Sequence, residues 1–217
     1  MKTATASNLI KYFELLAGLV GLFCYFKNKK SIWFAFAVFL VFLFGMEAIG
    51  GWLGRNKMYE QNTMLYKWIV TPVLVIVHHF IYYNILSTKF KKIVIGSCLL
   101  ILNISIIEIL FLEKEHFYSD SIADSIFCVA ILFFGLAYFF QLLKGDAILN
   151  FKNTMAFWFC TGLLIFYLGC FPYLAFFNSL AIAKNKDIYT VYRWIFIFLN
   201  YTMYLLFTIG FICSKPK

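Results

Sequence analysis

Long apolar stretches alternate with short polar connections along the whole chain. Each stretch is close to the roughly 20 residues that a helix needs to cross the hydrocarbon core of a bilayer. Seven of these are predicted as helices, over residues 9–26, 32–54, 66–86, 93–112, 122–143, 155–180 and 189–213. In hydrocarbon every backbone amide and carbonyl must bond within the chain, and the run lengths suit helices rather than the shorter strands of a closed barrel. The predicted fold is therefore all-α, a polytopic seven-transmembrane-helix bundle that forms one membrane domain over residues 1–217. The first run lacks a small-x-small cleavage site and ends in Lys27-Asn28-Lys29-Lys30. It is expected to be a retained helix, not a signal peptide.

Composition agrees with this pattern. The 217 residues are 63% hydrophobic and only 13% charged, against about 25% charged in an ordinary soluble domain. No polar stretch is long enough for a second, soluble domain. The net charge of +9 does not indicate nucleic-acid binding, because the lysines cluster beside apolar runs, as in Lys27, Lys29, Lys30 and Lys89, Lys91, Lys92. The six cysteines lie within apolar runs, without the spacing of a disulfide framework or a CxxC metal site. They read as small apolar fillers.

Orientation rests on where the basic residues fall. The two sides carry ten and nine of them, a near tie, but the first and third connections hold tight lysine triplets. The fourth is acidic, Glu113-Lys114-Glu115-His116-Phe117-Tyr118-Ser119-Asp120. Positive charge is retained on the cytoplasmic side, so the N-terminus is expected outside and the C-terminus inside. Pro72 and Pro172 fall within predicted helices 3 and 6, where a missing amide donor permits a kink.

Ionisable side chains within hydrocarbon cost roughly 2.5 to 3.5 kcal/mol each on insertion scales, so they face a bundle interior or a wet cavity. Glu14, Glu47, Glu108, Asp124 and Arg193 qualify, and the expected topology puts all five in the outer half of the bilayer. Glu14 shares a helix face with Gly18 and Gly21, and Glu47 shares one with Gly50, Gly51 and Gly54. Gly50 and Gly54 have the small-xxx-small spacing of closely packed helices. On helix 7, Tyr189, Arg193, Asn200 and Tyr204 form a stripe from which Arg193 is expected to supply a counter-charge. The candidate ligand-binding set is Glu14, Glu47, His78, Glu108, Asp124, Arg193 and Asn200. A structural reading stands beside it, in which paired or protonated buried charges only fix the helix arrangement.

His78 and His79 are adjacent, and adjacent helix residues point about 100° apart, so their rings are not expected to share a metal ion. No metal and no cofactor is predicted. No nucleophile elbow, P-loop or dinucleotide fingerprint is present. No span carries a mid-helix lysine for a Schiff-base chromophore.

The sixth run, Phe157-Trp158-Phe159-Cys160-Thr161-Gly162-Leu163-Leu164-Ile165-Phe166-Tyr167-Leu168-Gly169, followed by a seventh with Asn200, resembles a bacterial seven-transmembrane sensor region of the kind found in front of, or beside, histidine kinases. The resemblance rests mainly on these two helices. It implies a sensor or signalling-accessory protein in a bacterial inner membrane, one that receives a small ligand or lipid head group and passes the signal to a cytoplasmic kinase or other signalling protein. The chain stops at Lys215-Pro216-Lys217, so any output is expected to pass through a separate partner. Two other classes remain open. A lipid hydrolase of the lysoplasmalogenase or ceramidase type would show bound zinc, and a small-solute transporter or channel would show uptake into vesicles. Enzymatic activity is the less expected outcome.

Overall fold

The computed structural model describes residues 2–28, 30–112, 122–182 and 186–214, and these are helical with no strand among them. Helices α1 (Lys2–Tyr25) and α2 (Ile32–Arg55) are joined by a tight turn. Ser31 caps α2 there, its side-chain oxygen accepting the Trp33 amide at 3.3 Å and so meeting one of the donors that a helix start leaves open. At the other end of α2 the Lys57 amide donates to the Gly54 carbonyl at 3.1 Å and the Met58 amide to the Leu53 carbonyl at 3.0 Å. This pattern closes a helix on a left-handed residue, and that residue is Lys57, with φ 60°.

Helix α3 (Tyr59–Leu65) runs through a π-helical turn (Tyr66–Val70) into α4 (Thr71–Ile85). Together they form one stretch of 27 residues, Tyr59–Ile85. The third span thus begins earlier than the expected residue 66. Pro72 accounts for the π turn. Its ring crowds the carbonyl four residues back, that of Trp68, and it has no amide to donate. The wider turn, in which the Thr71 amide reaches the Tyr66 carbonyl, absorbs this misfit without breaking the helix.

Helix α5 (Thr88–Ile107) continues into a second π turn (Glu108–Leu112). Then come α6 (Ile122–Lys144), a 3-10 segment (Asp146–Asn153), α7 (Met155–Ile182) and α8 (Lys186–Cys213). Pro172 lies inside α7. Among the described residues six helical stretches are long and apolar enough to cross a membrane: Ala6–Tyr25, Ile32–Arg55, Tyr59–Ile85, Thr88–Phe111, Ile122–Lys144 and Thr190–Cys213. Within α7 the apolar stretch among the same residues is Met155–Cys170. The chain is an all-helical, multi-pass membrane bundle.

Neighbours in sequence are neighbours in space. α1 packs on α2, α4 on α5, α5 on α6, α6 on α7 and α7 on α8, and α8 returns to α1 to close a ring. In lipid the apolar effect gives helices little reason to associate, so close fit and dispersion have to supply the attraction. The interior shows both. Phe36 stands edge-on to Phe159 and Phe207 at 5.1 and 5.2 Å. Gly21 lets α1 approach so closely that a Cβ there would lie 2.7 Å from both Ala37 and the Phe211 ring. The expected Gly50–Gly54 pair is only half realised. A Cβ on Gly50 would meet Asn62 and Tyr66 at 2.9 Å, whereas Gly54 has nothing within 4 Å.

Candidate functional site

Glu14 lies on the inward face of α1, one helical turn before Gly18, and the close packing that Gly18 and Gly21 permit leaves it only 2% exposed. Tyr204 on α8 donates its hydroxyl proton to Glu14 Oε1 at 2.9 Å, across 190 residues of chain. A carboxylate in this setting must find its hydrogen bonds within the protein, and a tyrosine hydroxyl meets that need without adding a second charge.

Glu47 on α2 faces the hydroxyl of Tyr66, the first residue of the π turn, and is within electrostatic reach of Glu14 and of Lys11. The close approach at Gly50 brings Asn62 and Tyr66 to the same place. Asn62 Oδ1 is sealed there without a hydrogen-bond donor. Two carboxylates, two tyrosine hydroxyls and a carboxamide thus share one level of the bundle, contributed by α1, α2, α3, the π turn and α8. Tyr167 of α7 lies within electrostatic reach of both Tyr204 and Asp124, which connects the level to α6.

Glu108 has a different task. Its Oε1 accepts the Ile122 amide at 2.6 Å and its Oε2 the Ala123 amide at 3.4 Å, so it caps the start of α6 from another helix. Asp124 sits in the first turn of the same helix, where a negative charge suits the helix dipole. Lys67 supplies positive charge near it.

His78 is buried in an aromatic box, stacked on Phe159 at 5.8 Å and edge-on to Phe39 and Phe127. Its Nδ1 lies 2.8 Å from the Leu74 carbonyl, as His79 Nδ1 does from that of Val75. Each ring is thereby turned back along α4, with Nδ1 as the donor. His79 Nε2 faces Ser97 Oγ at 3.2 Å on α5. One turn below His78, the Tyr82 hydroxyl is fully buried beside the Cys160 thiol.

Five of the seven sequence candidates therefore fall into three groups: Glu14 with Glu47, Glu108 with Asp124, and His78 apart in the aromatic centre. The other two lie on α8. Lys11 is within electrostatic reach of Glu47, and Lys67 of Asp124. Asn200 is buried but bonded within its own helix, its Nδ2 donating to the Phe196 carbonyl at 2.8 Å. Tyr66, Tyr167 and Asn62 were not among the candidates. For Tyr66 a signal was available, since an aromatic hydroxyl six residues before an intrahelical proline lies where the helix has to loosen. His116 and the acidic stretch 113–120 lie outside the described residues.

No family model, curated protein or solved structure matches the chain. The reading of the site therefore rests on its own chemistry. Among the described residues no three His, Cys, Asp or Glu side chains converge as a metal site would require. What the acidic level offers is a set of oxygen acceptors and hydroxyl donors, with Glu14 buried and Glu47 exposed, suited to hydrogen-bonding a small polar or cationic group.

Proposed function

We propose that the chain is a seven-helix sensor or signalling-accessory protein of a bacterial inner membrane, with its N-terminus outside and its C-terminus in the cytoplasm. Its acidic level takes up a small ligand or lipid head group, and the change is relayed to a separate cytoplasmic partner such as a kinase. The observation that carries this reading is the Glu14–Tyr204 bond, which joins the first and last helices inside the polar level. At the far end of the same two helices the Tyr25 hydroxyl and Ser214 Oγ lie 2.6 Å apart. A ligand that competes for Glu14 acts on a helix pair whose other end carries the C-terminus. Ligand energy can shift such a pair only by its difference in affinity for the two arrangements, and exchanging one hydrogen bond for another supplies such a difference.

The test uses the purified chain in lipid nanodiscs, screened by thermal shift against small amines, monovalent cations and head-group analogues. A hit is then re-measured in Glu14→Gln and Glu47→Gln. Loss of the response in folded variants supports the site, and an unchanged response in both removes it. Reporter fusions at residue 117 and at the C-terminus test the topology, with a periplasmic enzyme active only at the former. Co-purification of a kinase or response regulator with the full chain supports the relay. Uptake of solute by reconstituted vesicles points instead to transport.

A further inference from the structure

One end of the bundle carries a basic collar. It is the end where α1 meets α2, α4 meets α5 and α6 meets α7. The collar is formed by Lys27 and Lys30 on the first of these connections, Lys89 and Lys92 on the first turns of α5, and Lys144 and Lys152 on either side of the 3-10 segment, all of them exposed. In these three connections, residues 26–31, 86–92 and 144–154, the only acidic residue is Asp146. The lysines lean on aromatic rings for want of carboxylates. Lys91 Nζ lies 4.5 Å from the Tyr83 ring centre and Lys144 Nζ 5.0 Å from that of Phe140.

Within the collar, the start of α5 packs against α6. Ser87 is its cap residue but makes no side-chain cap bond, so the amides of Thr88 and Lys89 are left without an acceptor. The Ser87 amide is already taken by Gln141 Oε1 of α6 at 3.0 Å. That bond ties α6 to the start of α5 and so brings Lys144, one turn further along α6, to the side of the collar that carries Lys89 and Lys92. The positive end of the α5 dipole and the flanking lysines make this side of the collar complementary to anionic headgroups. Exposed apolar side chains stand among the same lysines, Phe140 at 65%, Leu143 at 66% and Leu149 at 84%. Side chains of that kind belong at the acyl and headgroup boundary, which makes membrane lipid the source of the anionic group.

We infer that this collar binds anionic phospholipid headgroups, most strongly on the side that carries Lys89, Lys92 and Lys144. The site lies at the opposite end of α1 from the acidic level and does not depend on the ligand reading above.

The test compares the full chain in nanodiscs of pure phosphatidylcholine and in nanodiscs containing phosphatidylglycerol, by thermal denaturation and by native mass spectrometry of retained lipid. Phosphatidylglycerol is expected to raise the melting temperature and to be retained selectively, and the gain should shrink as salt is raised. The triple variant Lys89→Gln, Lys92→Gln, Lys144→Gln is expected to lose most of that gain and the bound lipid while melting as the parent does in phosphatidylcholine. The control Arg55→Gln, Lys57→Gln at the other end should keep both. An equal response to the two lipids, or a triple variant that still retains phosphatidylglycerol, overturns the proposal. A response reproduced by inorganic phosphate alone, without lipid retention, overturns the lipid as its source.

Discussion

Removing the Tyr204 hydroxyl tests whether the buried carboxylate on α1 is held by α8. Tyr204→Phe deletes one oxygen and leaves the ring in place against Phe207, 6.0 Å away, so the packing contribution barely changes. The hydrogen bond is what changes. Interhelical hydrogen bonds in membranes contribute on average about 0.6 kcal/mol and at most about 1.7, because the separated helices find other partners. Leaving a buried acceptor unmet costs about 1 to 3 kcal/mol. Glu14 is 2% and Tyr204 8% exposed, so the vacated position is closed to solvent and the upper part of the first range applies. The expected loss is about 1 to 2 kcal/mol, roughly a ten-fold change in the unfolding equilibrium.

A double-mutant cycle separates this bond from general damage. In a Glu14→Leu background no acceptor remains, so Tyr204→Phe should add little. In a Glu14→Gln background the amide oxygen still accepts, and much of the effect should persist. Reversible unfolding in bicelles, read by steric trapping, supplies the free energies. If Tyr204→Phe costs the same in the Leu background as in the parent, the coupling is zero. The Glu14–Tyr204 bond then contributes nothing, and the link between the first and last helices fails with it.

Gly21→Ala should destabilise by about 1 to 3 kcal/mol, since its Cβ would lie 2.7 Å from Ala37 and Phe211, whereas Gly54→Ala, with nothing within 4 Å, should melt at or slightly above the parent temperature. Glu108→Ala should cost about 1 to 2 kcal/mol and speed hydrogen exchange at the Ile122 and Ala123 amides, and Glu108→Gln, which keeps one acceptor oxygen, should cost about half as much. Lys57→Gly should stabilise by about 0.5 to 1 kcal/mol in thermal denaturation, because glycine adopts φ 60° without the crowding that a Cβ brings. A neutral or destabilising Lys57→Gly would mean that the side chain contributes more than the turn geometry costs.

The helices were readable in the sequence because the bilayer imposes its length on them: six of the expected runs coincide with stretches long and apolar enough to cross. The third begins earlier than the expected residue 66, at Tyr59, and takes in the polar Glu60, Gln61 and Asn62. Their helical state depends on the Lys57 turn before them and on the π turn that lets the helix pass Pro72. The partners of the buried charges were harder to see, for one physical reason. A carboxylate in hydrocarbon draws attention to cations, so Arg193 was the expected complement of Glu14 or Glu47. Tyrosine meets the same need, and among 14 tyrosines in the chain nothing in the sequence singles out Tyr204 or Tyr66.

Glu108 shows the limit most clearly. From sequence it is one more acidic residue within an apolar run, equal in standing to Glu14. In the bundle it lies beside the first two amides of α6, and both of its oxygens are engaged there. A helix start in low dielectric leaves its first amides without acceptors, and a carboxylate from a neighbouring helix satisfies them while finding its own hydrogen bonds. The same charge thus acts in opposite ways at two places in one layer. At the end of α5 it completes a structural cap, so its removal should loosen α6 whatever ligand is present. On α1 and α2 the carboxylates face tyrosine hydroxyls and the unmet Asn62 oxygen, where an incoming hydrogen-bond donor has something to gain. The functional reading therefore rests on Glu14 and Glu47, and a binding defect seen only in Glu108 variants would count as structural.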